Sequence, residues 1–211
     1  MERDGNKQIF RGRLLRHALF SFDGDRSSSG SEHEMAAEPP NREGQTGMKI
    51  TILCAGKFKE AYWEAAAAEY QKRLTRYCSL QVIAVADEAT PEHASEKEEQ
   101  KIREKEGERM IAWLDKNAQG PGSRVIALAI KGKRMDSIGF ASYIEAAQNE
   151  GCMQLIFIIG GSLGLSDAVL RRADMRLSFS EFTFPHQLMR VILLEQIYRA
   201  YRIICRQPYH K

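Results

Sequence analysis

Residues 154–166 read QLIFIIGGSLGLS. After Gln154 come five apolar residues in a row, then a glycine loop, then a serine placed to cap a helix. An uninterrupted apolar run of this length, bounded by glycine, predicts a strand covered on both faces. Glycine lets backbone approach a ligand closely, and Ser166 suits a helix N-cap. The chain on either side repeats this unit. Strands are predicted at KITILCA (Lys49–Ala55), LQVIAVA (residues 80–86), RVIALAI (residues 124–130) and residues 175–180. Helices are predicted at residues 59–76, at residues 95–116 with Ser95 and Glu98 forming a capping box, at Ser137–Asn149, at residues 166–172 and at His186–Ile204. Strands alternating with helices make an α/β fold: a mostly parallel sheet with helices on both faces. Ligands on such sheets sit at the carboxyl ends of the strands. The loops after Ile130, Ile159 and Ser180 are therefore the places for a site.

This organisation starts at Met48. Residues 27–47 are Ser, Gly, Glu and Pro with almost no apolar side chain, too little to offset the entropy of ordering. Residues 9–22 mix arginine with apolar residues, but Glu2, Asp4, Asp23 and Asp25 argue against a transit peptide, and Arg11, Arg13 and Arg16 break any secretory core. Residues 1–47 are read as a disordered leader or a mis-assigned start, and residues 48–211 as one domain. The chain of 211 residues has no apolar run long enough for a membrane span. Cys54, Cys78, Cys152 and Cys205 are scattered without a C-x-x-C pair, so neither a zinc site nor a disulfide framework is expected, and a reducing cytoplasmic setting is.

Two features carry chemistry. The glycine loop lacks the lysine of a phosphate-binding Walker loop and the spacing of a dinucleotide fingerprint. It does match G-x-S-x-G across residues 160–164, which makes a serine hydrolase using Ser162 an alternative, with Asp174 and His210 as acid and base. A plain glycine turn is the bland alternative. The second feature is charge. The formal net charge is only +3, but residues 186–211 carry Arg190, Arg199, Arg202, Arg206 and Lys211 against Glu195 alone. Arg199, Arg202 and Arg206 share a helix face and can grip phosphate, or form a solvated face with a Glu195–Arg199 pair. The last helix is apolar nearly all round, so it must be buried, and a subunit interface is one place to do so.

Several segments in fixed order resemble the RlmH family of ribosomal RNA methyltransferases, of the SPOUT class: Met48-Lys-Ile to Gly56, the Lys105-Glu-Gly-Glu stretch, LAIKGK at residues 128–133, the glycine loop through Ser166, and Phe179-Ser-Glu-Phe-Thr-Phe-Pro-His186. Arg190-Val through Glu195-Gln-Ile-Tyr-Arg-Ala200 and the closing Pro208-Tyr-His210 complete it. The resemblance covers residues 48–211 and nothing before them. It implies methyl transfer from S-adenosylmethionine (SAM) to N3 of a pseudouridine in a hairpin loop of 23S ribosomal RNA, with the assembled ribosome as substrate. It also implies a deep trefoil knot, a homodimer with the site at its interface, and no metal. Carried over by position, SAM is held at Leu128, Gly160, Phe179, Ser180, Glu181, Phe182, Thr183 and Phe184.

For the chemistry, the imide N3–H must lose its proton before nitrogen attacks the methyl group. His210 is the candidate base or relay, because imidazole titrates near neutrality. Tyr209 is the candidate for stacking on, or hydrogen bonding to, the uracil ring. Arg190, Arg199 and Lys211 are candidates for RNA phosphate contact. The family tail commonly ends Tyr-His-Arg, whereas Lys211 closes this one, keeping the charge without the guanidinium fork. Beside the enzyme and the hydrolase stands a third alternative, a non-catalytic ribosome-binding module.

Overall fold

The computed structural model describes residues 47–209. In chain order these form β1 (Lys49–Ala55), α1 (Ala61–Leu74), β2 (Ser79–Val85), α2 (Glu96–Asn117), β3 (Ser123–Arg134), α3 (Ser137–Asn149), β4 (Gln154–Ile159), α4 (Asp167–Arg172), β5 (Met175–Ser178) and α5 (His186–Ile204). The strands make one sheet in the order β2-β1-β4-β3-β5, with every neighbouring pair parallel.

Side chains of a strand alternate between the two faces, and the core divides accordingly. Ile50, Ile52 and Cys54 of β1, with Leu155 and Phe157 of β4, join the core formed with α1, α3 and α5. Leu53 and Ala55, with Ile156 and Ile158, join the core formed with α2 and α4. The central strands are thus apolar on both sides, as the unbroken runs predict. The last helix is buried largely within its own chain: Leu193, Leu194, Ile197, Tyr198, Ala200 and Tyr201 are all enclosed among the residues of that first core.

Helix starts follow their caps. Ser95 Oγ accepts the Glu98 N–H while the Glu98 carboxylate accepts the Ser95 N–H at 2.8 Å. Ser166 caps α4 through the Val169 N–H. At α3 the cap is Asp136, whose carboxylate accepts the Gly139 N–H at 2.7 Å.

Two strand ends differ from expectation by more than one residue. β5 stops at Ser178 rather than at residue 180. β3 does not stop at Ile130 but continues to Arg134, with an irregularity in the middle, so that Leu177 of β5 pairs with both Leu128 and Lys133. The Lys131-Gly132-Lys133 segment, expected as an open loop, folds tightly over β5. A Cβ on Gly132 would lie 2.8 Å from the backbone carbon of Leu177, and only glycine permits that approach. After α5 the chain turns at Arg206, in the left-handed region at φ 55°. The Gln207 N–H donates to the Arg202 carbonyl at 2.8 Å, and the Tyr77 hydroxyl donates to Gln207 Oε1 at 2.6 Å. Among the described residues no helix is long and apolar enough to cross a membrane.

Candidate active site

Residues 128–130 in the middle of β3 and the carboxyl ends of β4 and β5 border one cavity of about 350 Å³. Of the eight residues expected to hold the methyl donor, seven line it: Leu128, Gly160, Phe179, Ser180, Phe182, Thr183 and Phe184. Glu181 does not. Its carboxylate is turned outward to the Arg134 guanidinium, which takes it off the cavity wall. The loop after β5 is pinned internally: the Ser178 hydroxyl donates to the Ser180 carbonyl at 3.1 Å, and the Phe182 N–H donates to Ser180 Oγ at 3.0 Å. This leaves Phe182 78% exposed at the rim.

The glycine loop owes its shape to neighbours on both sides. A Cβ on Gly160 would sit 2.5 Å from the Gly164 carbonyl, so this position is glycine because the loop closes on itself there. From below, α2 presses on the loop at both ends. A Cβ on Gly161 would meet the Glu106 carboxylate at 2.7 Å, and a Cβ on Gly107 would meet Ser166 Oγ at 2.1 Å. Glu106 itself is 4% exposed. It accepts the Glu88 N–H at 3.0 Å. Burial pushes its carboxyl pKa up, with Asp87 and Glu88 adding to the rise and the Glu88 N–H and Arg109 opposing it. Glu88 is held in turn by Arg109 and Lys105. Neither the sheet argument nor the resemblance assigned Glu106 a role.

Ser162 is exposed, and its hydroxyl pairs with that of Thr90 at 3.1 Å. Arg206 alone among described non-glycine residues has positive φ, so Ser162 lacks the strained backbone of a nucleophile elbow. The Asp174 carboxylate is committed to the Val125 N–H at 2.7 Å. Ser162 thus lacks the elbow backbone and Asp174 serves β3 instead, while the third member of the hydrolase alternative, His210, lies outside the described residues.

His186 lines the cavity from the start of α5. Burial lowers its pKa, reinforced by Arg190 and Lys59 and opposed by Asp87, so the neutral ring is favoured. One turn on, Arg190 is 2% exposed and donates to the Ala55 carbonyl, with its guanidinium over the Phe58 ring at 5.0 Å. It is a buried tie between α5 and the end of β1, and its expected phosphate contact is corrected to this structural one. Arg199 lies further along α5, paired with Glu195 and stacked over Tyr209 at 4.8 Å. Tyr209 rests edge-on against Tyr198 at 5.1 Å and donates to Glu195 at 3.3 Å. Its partners begin six residues beyond Met189, the last α5 residue on the cavity, roughly 9 Å along the axis at 1.5 Å per residue. Tyr209 thus stands away from its own chain's cavity. His210 and Lys211 lie outside the described residues.

A protein family described as "Predicted SPOUT methyltransferase" matches residues 48–210. Ribosomal RNA large subunit methyltransferase H of Clostridium botulinum (strain Hall) is 54% identical over 164 residues, 78% of this chain and 100% of that one. The protein of the same name from Bifidobacterium adolescentis is 56% identical over the same coverage. Among solved structures, that of a probable methylase family protein from Haemophilus influenzae Rd KW20 shares 10% identity at a TM-score of 0.45, over 78% of this chain and 70% of that one, too loosely to bear on the site. A match across all of the folded α/β unit, at over half identity to full-length relatives, places this chain in the SPOUT methyltransferase family.

Proposed function

We propose that this protein methylates N3 of a pseudouridine in 23S ribosomal RNA, using SAM and taking the assembled ribosome as substrate, as a cytoplasmic homodimer with a trefoil-knotted sheet. The enzyme occupies residues 48–211, with residues 1–47 outside it. The observation that carries this reading is the meeting of mid-β3 with the loops after β4 and β5 on one cavity, in a chain that matches large-subunit ribosomal RNA methyltransferases over their whole length.

The cavity suits the donor. Its volume lies in the range of small-molecule sites, roughly 300–1,000 Å³. Its walls combine apolar side chains (Leu128, Ile159, Phe179, Phe184) with backbone at Gly160 and Gly164 that no Cβ screens. When bound, SAM supplies an electrophilic methyl group on a sulfonium. The protein's part is to fix that group, exclude water and handle one proton. Leu128, Phe179 and Phe184 enclose the donor, and Ser180 and Thr183 sit at its edge. His210 takes the N3 proton, Tyr209 meets the uracil ring, and Arg199 and Lys211 hold phosphate. Because Tyr209 stands off its own cavity, the tail of one subunit serving the cavity of the other accounts for the geometry.

The test is direct. Ribosomes lacking the modification are incubated with the protein and labelled SAM, and the ribosomal RNA is digested and weighed. The expected product is one 23S pseudouridine heavier by a methyl group. Absence of label in 23S RNA overturns the reading, and label on naked RNA alone overturns the assembled-ribosome part of it. A non-catalytic ribosome-binding module would bind ribosomes without transferring label.

A further inference from the structure

Away from the cavity, cations gather where α1 and α5 lie side by side. Residues 66–77 hold Lys72, Arg73 and Arg76 against Glu69 alone, and residues 195–209 hold Arg199, Arg202 and Arg206 against Glu195 alone. Six cations against two carboxylates leave an excess of four, in a chain whose formal net charge is +3. Tyrosines interleave with them. We infer that this surface, built jointly by α1, α5 and the turns after them, grips the phosphate backbone of the RNA strand that carries the target base, an assignment that rests on the methyltransferase reading above.

Ring contacts join the two helices into one surface. Tyr70 of α1 meets Tyr198 of α5 at 6.3 Å, Tyr77 in the turn after α1 stacks on Tyr201 at 5.6 Å, and Tyr198 meets Tyr209 at 5.1 Å. Guanidinium groups lie over these rings. Arg73 stands over Tyr70 at 5.6 Å and over Tyr198 at 5.8 Å. Arg202 stands over Tyr198 and Tyr209, at 5.9 Å from each, and Arg199 over Tyr209 at 4.8 Å. Arg73 and Arg199 each pair with a glutamate one turn back, Glu69 at 2.8 Å and Glu195 at 2.6 Å. Among the described residues Lys72, Arg76, Arg202 and Arg206 pair with no carboxylate. Lys72, Arg73, Arg76 and Arg206 are exposed.

A solvated face is the plain alternative, and three features weigh against it. Cations at this density repel one another until an anion joins them, and each of the two carboxylates is already taken by one arginine. Stacking on rings holds the guanidinium groups in place beforehand, so less side-chain freedom is lost when phosphate arrives. Five of the six cations are arginine, whose fork matches phosphate oxygens where a lysine offers only a point charge. The third feature is position. Tyr209 opens the tail that the proposed reaction uses, and Arg199 and Arg202 both lie over its ring, so a strand held here is held at the root of that tail. An RNA backbone is bound phosphate by phosphate on such an open surface and needs no enclosing cavity.

The double variant Arg73→Ala/Arg76→Ala tests this. Its control is Lys97→Ala/Lys101→Ala, an equal loss of exposed charge on α2, which packs on the other face of the sheet. Affinity for unmodified ribosomes and for naked 23S RNA is measured between about 50 and 200 mM salt at fixed magnesium. SAM affinity is measured by calorimetry and subunit state by sedimentation. Loss of two phosphate contacts should make log affinity against log salt shallower by about 1.5, so that this rise in salt costs the variant roughly eightfold less affinity than wild type. SAM affinity should stay within about twofold of wild type, since the substituted groups lie apart from the cavity, and the control should keep the wild-type slope. Retained SAM affinity is also the proof of folding. If the double variant does not fold, Arg76→Ala, outside every ring stack, decides the matter with a slope shallower by about 0.8. A wild-type slope in the arginine variant overturns the assignment, as does an equal fall in the control, which would make the effect one of net charge. A fall on ribosomes but not on naked RNA overturns it in favour of a ribosomal protein contact, and dissociation of subunits in favour of a subunit contact. A wild-type protein that labels no ribosomal RNA overturns the methyltransferase reading and this inference with it, whereas failure of the slopes leaves that reading standing.

Discussion

Glu106 carries an unusual load for a residue in so charged a helix. Its carboxylate, nearly out of solvent, supports the glycine loop from beneath while accepting the Glu88 N–H. Its pKa is raised in the folded protein, and this fixes the sign of a prediction. A raised folded pKa gives a contribution that is complete below the unfolded value and lost as pH rises through the folded one. Glu106→Gln keeps an oxygen for the Glu88 N–H but never ionises. It should match wild type in Tm at acidic pH and exceed it at pH 8; a constant offset across that range refutes a buried, titrating carboxyl. Glu106→Ala leaves the Glu88 N–H bare, should cost about 1–3 kcal/mol by denaturant unfolding, and should weaken SAM binding. Arg190 supplies a second prediction. Because it is buried against Ala55 and Phe58, Arg190→Met should leave the salt dependence of ribosome binding unchanged, and stability within about 2 kcal/mol. Arg199→Ala, at a half-buried position facing the tail, should lower the slope of log affinity against log salt by about one. Equal slopes for both variants would count against that division. Neither buried charge was legible as such: glutamate and arginine on helices read as solvent-facing. The one available signal for Glu106 was its register, since positions 106, 107, 110 and 114 all share the buried face of α2.

Elements were the legible part, and for a physical reason. β1 and β4 are covered on both faces, so their sequences are unbroken apolar runs, and α3, β4 and α5 have the bounds their composition predicts. The capping box likewise named the start of α2 from Ser95 and Glu98. Of the three loops singled out by the sheet argument, those after β4 and β5 line one cavity, while β3 contributes residues 128–130 from within the strand rather than a loop after Ile130. What composition could not reveal was the path of residues 129–134. Lys-Gly-Lys reads as a solvent loop because its side chains are polar, yet its backbone lies over β5 and resumes pairing with it. Local preference describes side chains against solvent; it contains nothing about which distant strand a backbone will cross. Gly132 marks the crossing. Gly132→Ala would place a methyl 2.8 Å from the Leu177 backbone, where no flexible side chain can yield. It should destabilise by about 1–3 kcal/mol and, because Leu177 and Ser178 line the cavity at the strand ends, lower SAM affinity as well. Gly120→Ala is the control for lost glycine freedom: it is open on all sides at φ 85°, so it pays only the backbone cost and should spare SAM.

The proposal that the tail of one subunit serves the cavity of the other concerns two chains rather than one. Within a chain, Tyr209 is fastened to α5 by Tyr198, Glu195, Arg199 and Arg202, while the cavity at the strand ends draws on α5 only at His186 and Met189. A two-fold dimer that sets α5 of one copy beside the cavity of the other would bring the tail across without undoing any of these contacts. Mixing two inactive variants tests the arrangement. One lacks residues 209–211. The other carries Gly160→Val, whose side chain collides with Gly164 and spoils the donor loop. Each alone should transfer no methyl group, and the truncated protein should still bind SAM. Co-expressed, half of the dimers are mixed, and each mixed dimer joins an intact cavity on the truncated chain to an intact tail on the other. Transfer should therefore return to roughly a quarter of the wild-type rate per dimer. If each tail serves its own cavity, no mixed dimer holds a complete site and the rate stays at zero. Activity in the truncated protein alone would instead remove the tail from the reaction altogether, and with it the roles given to Tyr209 and His210.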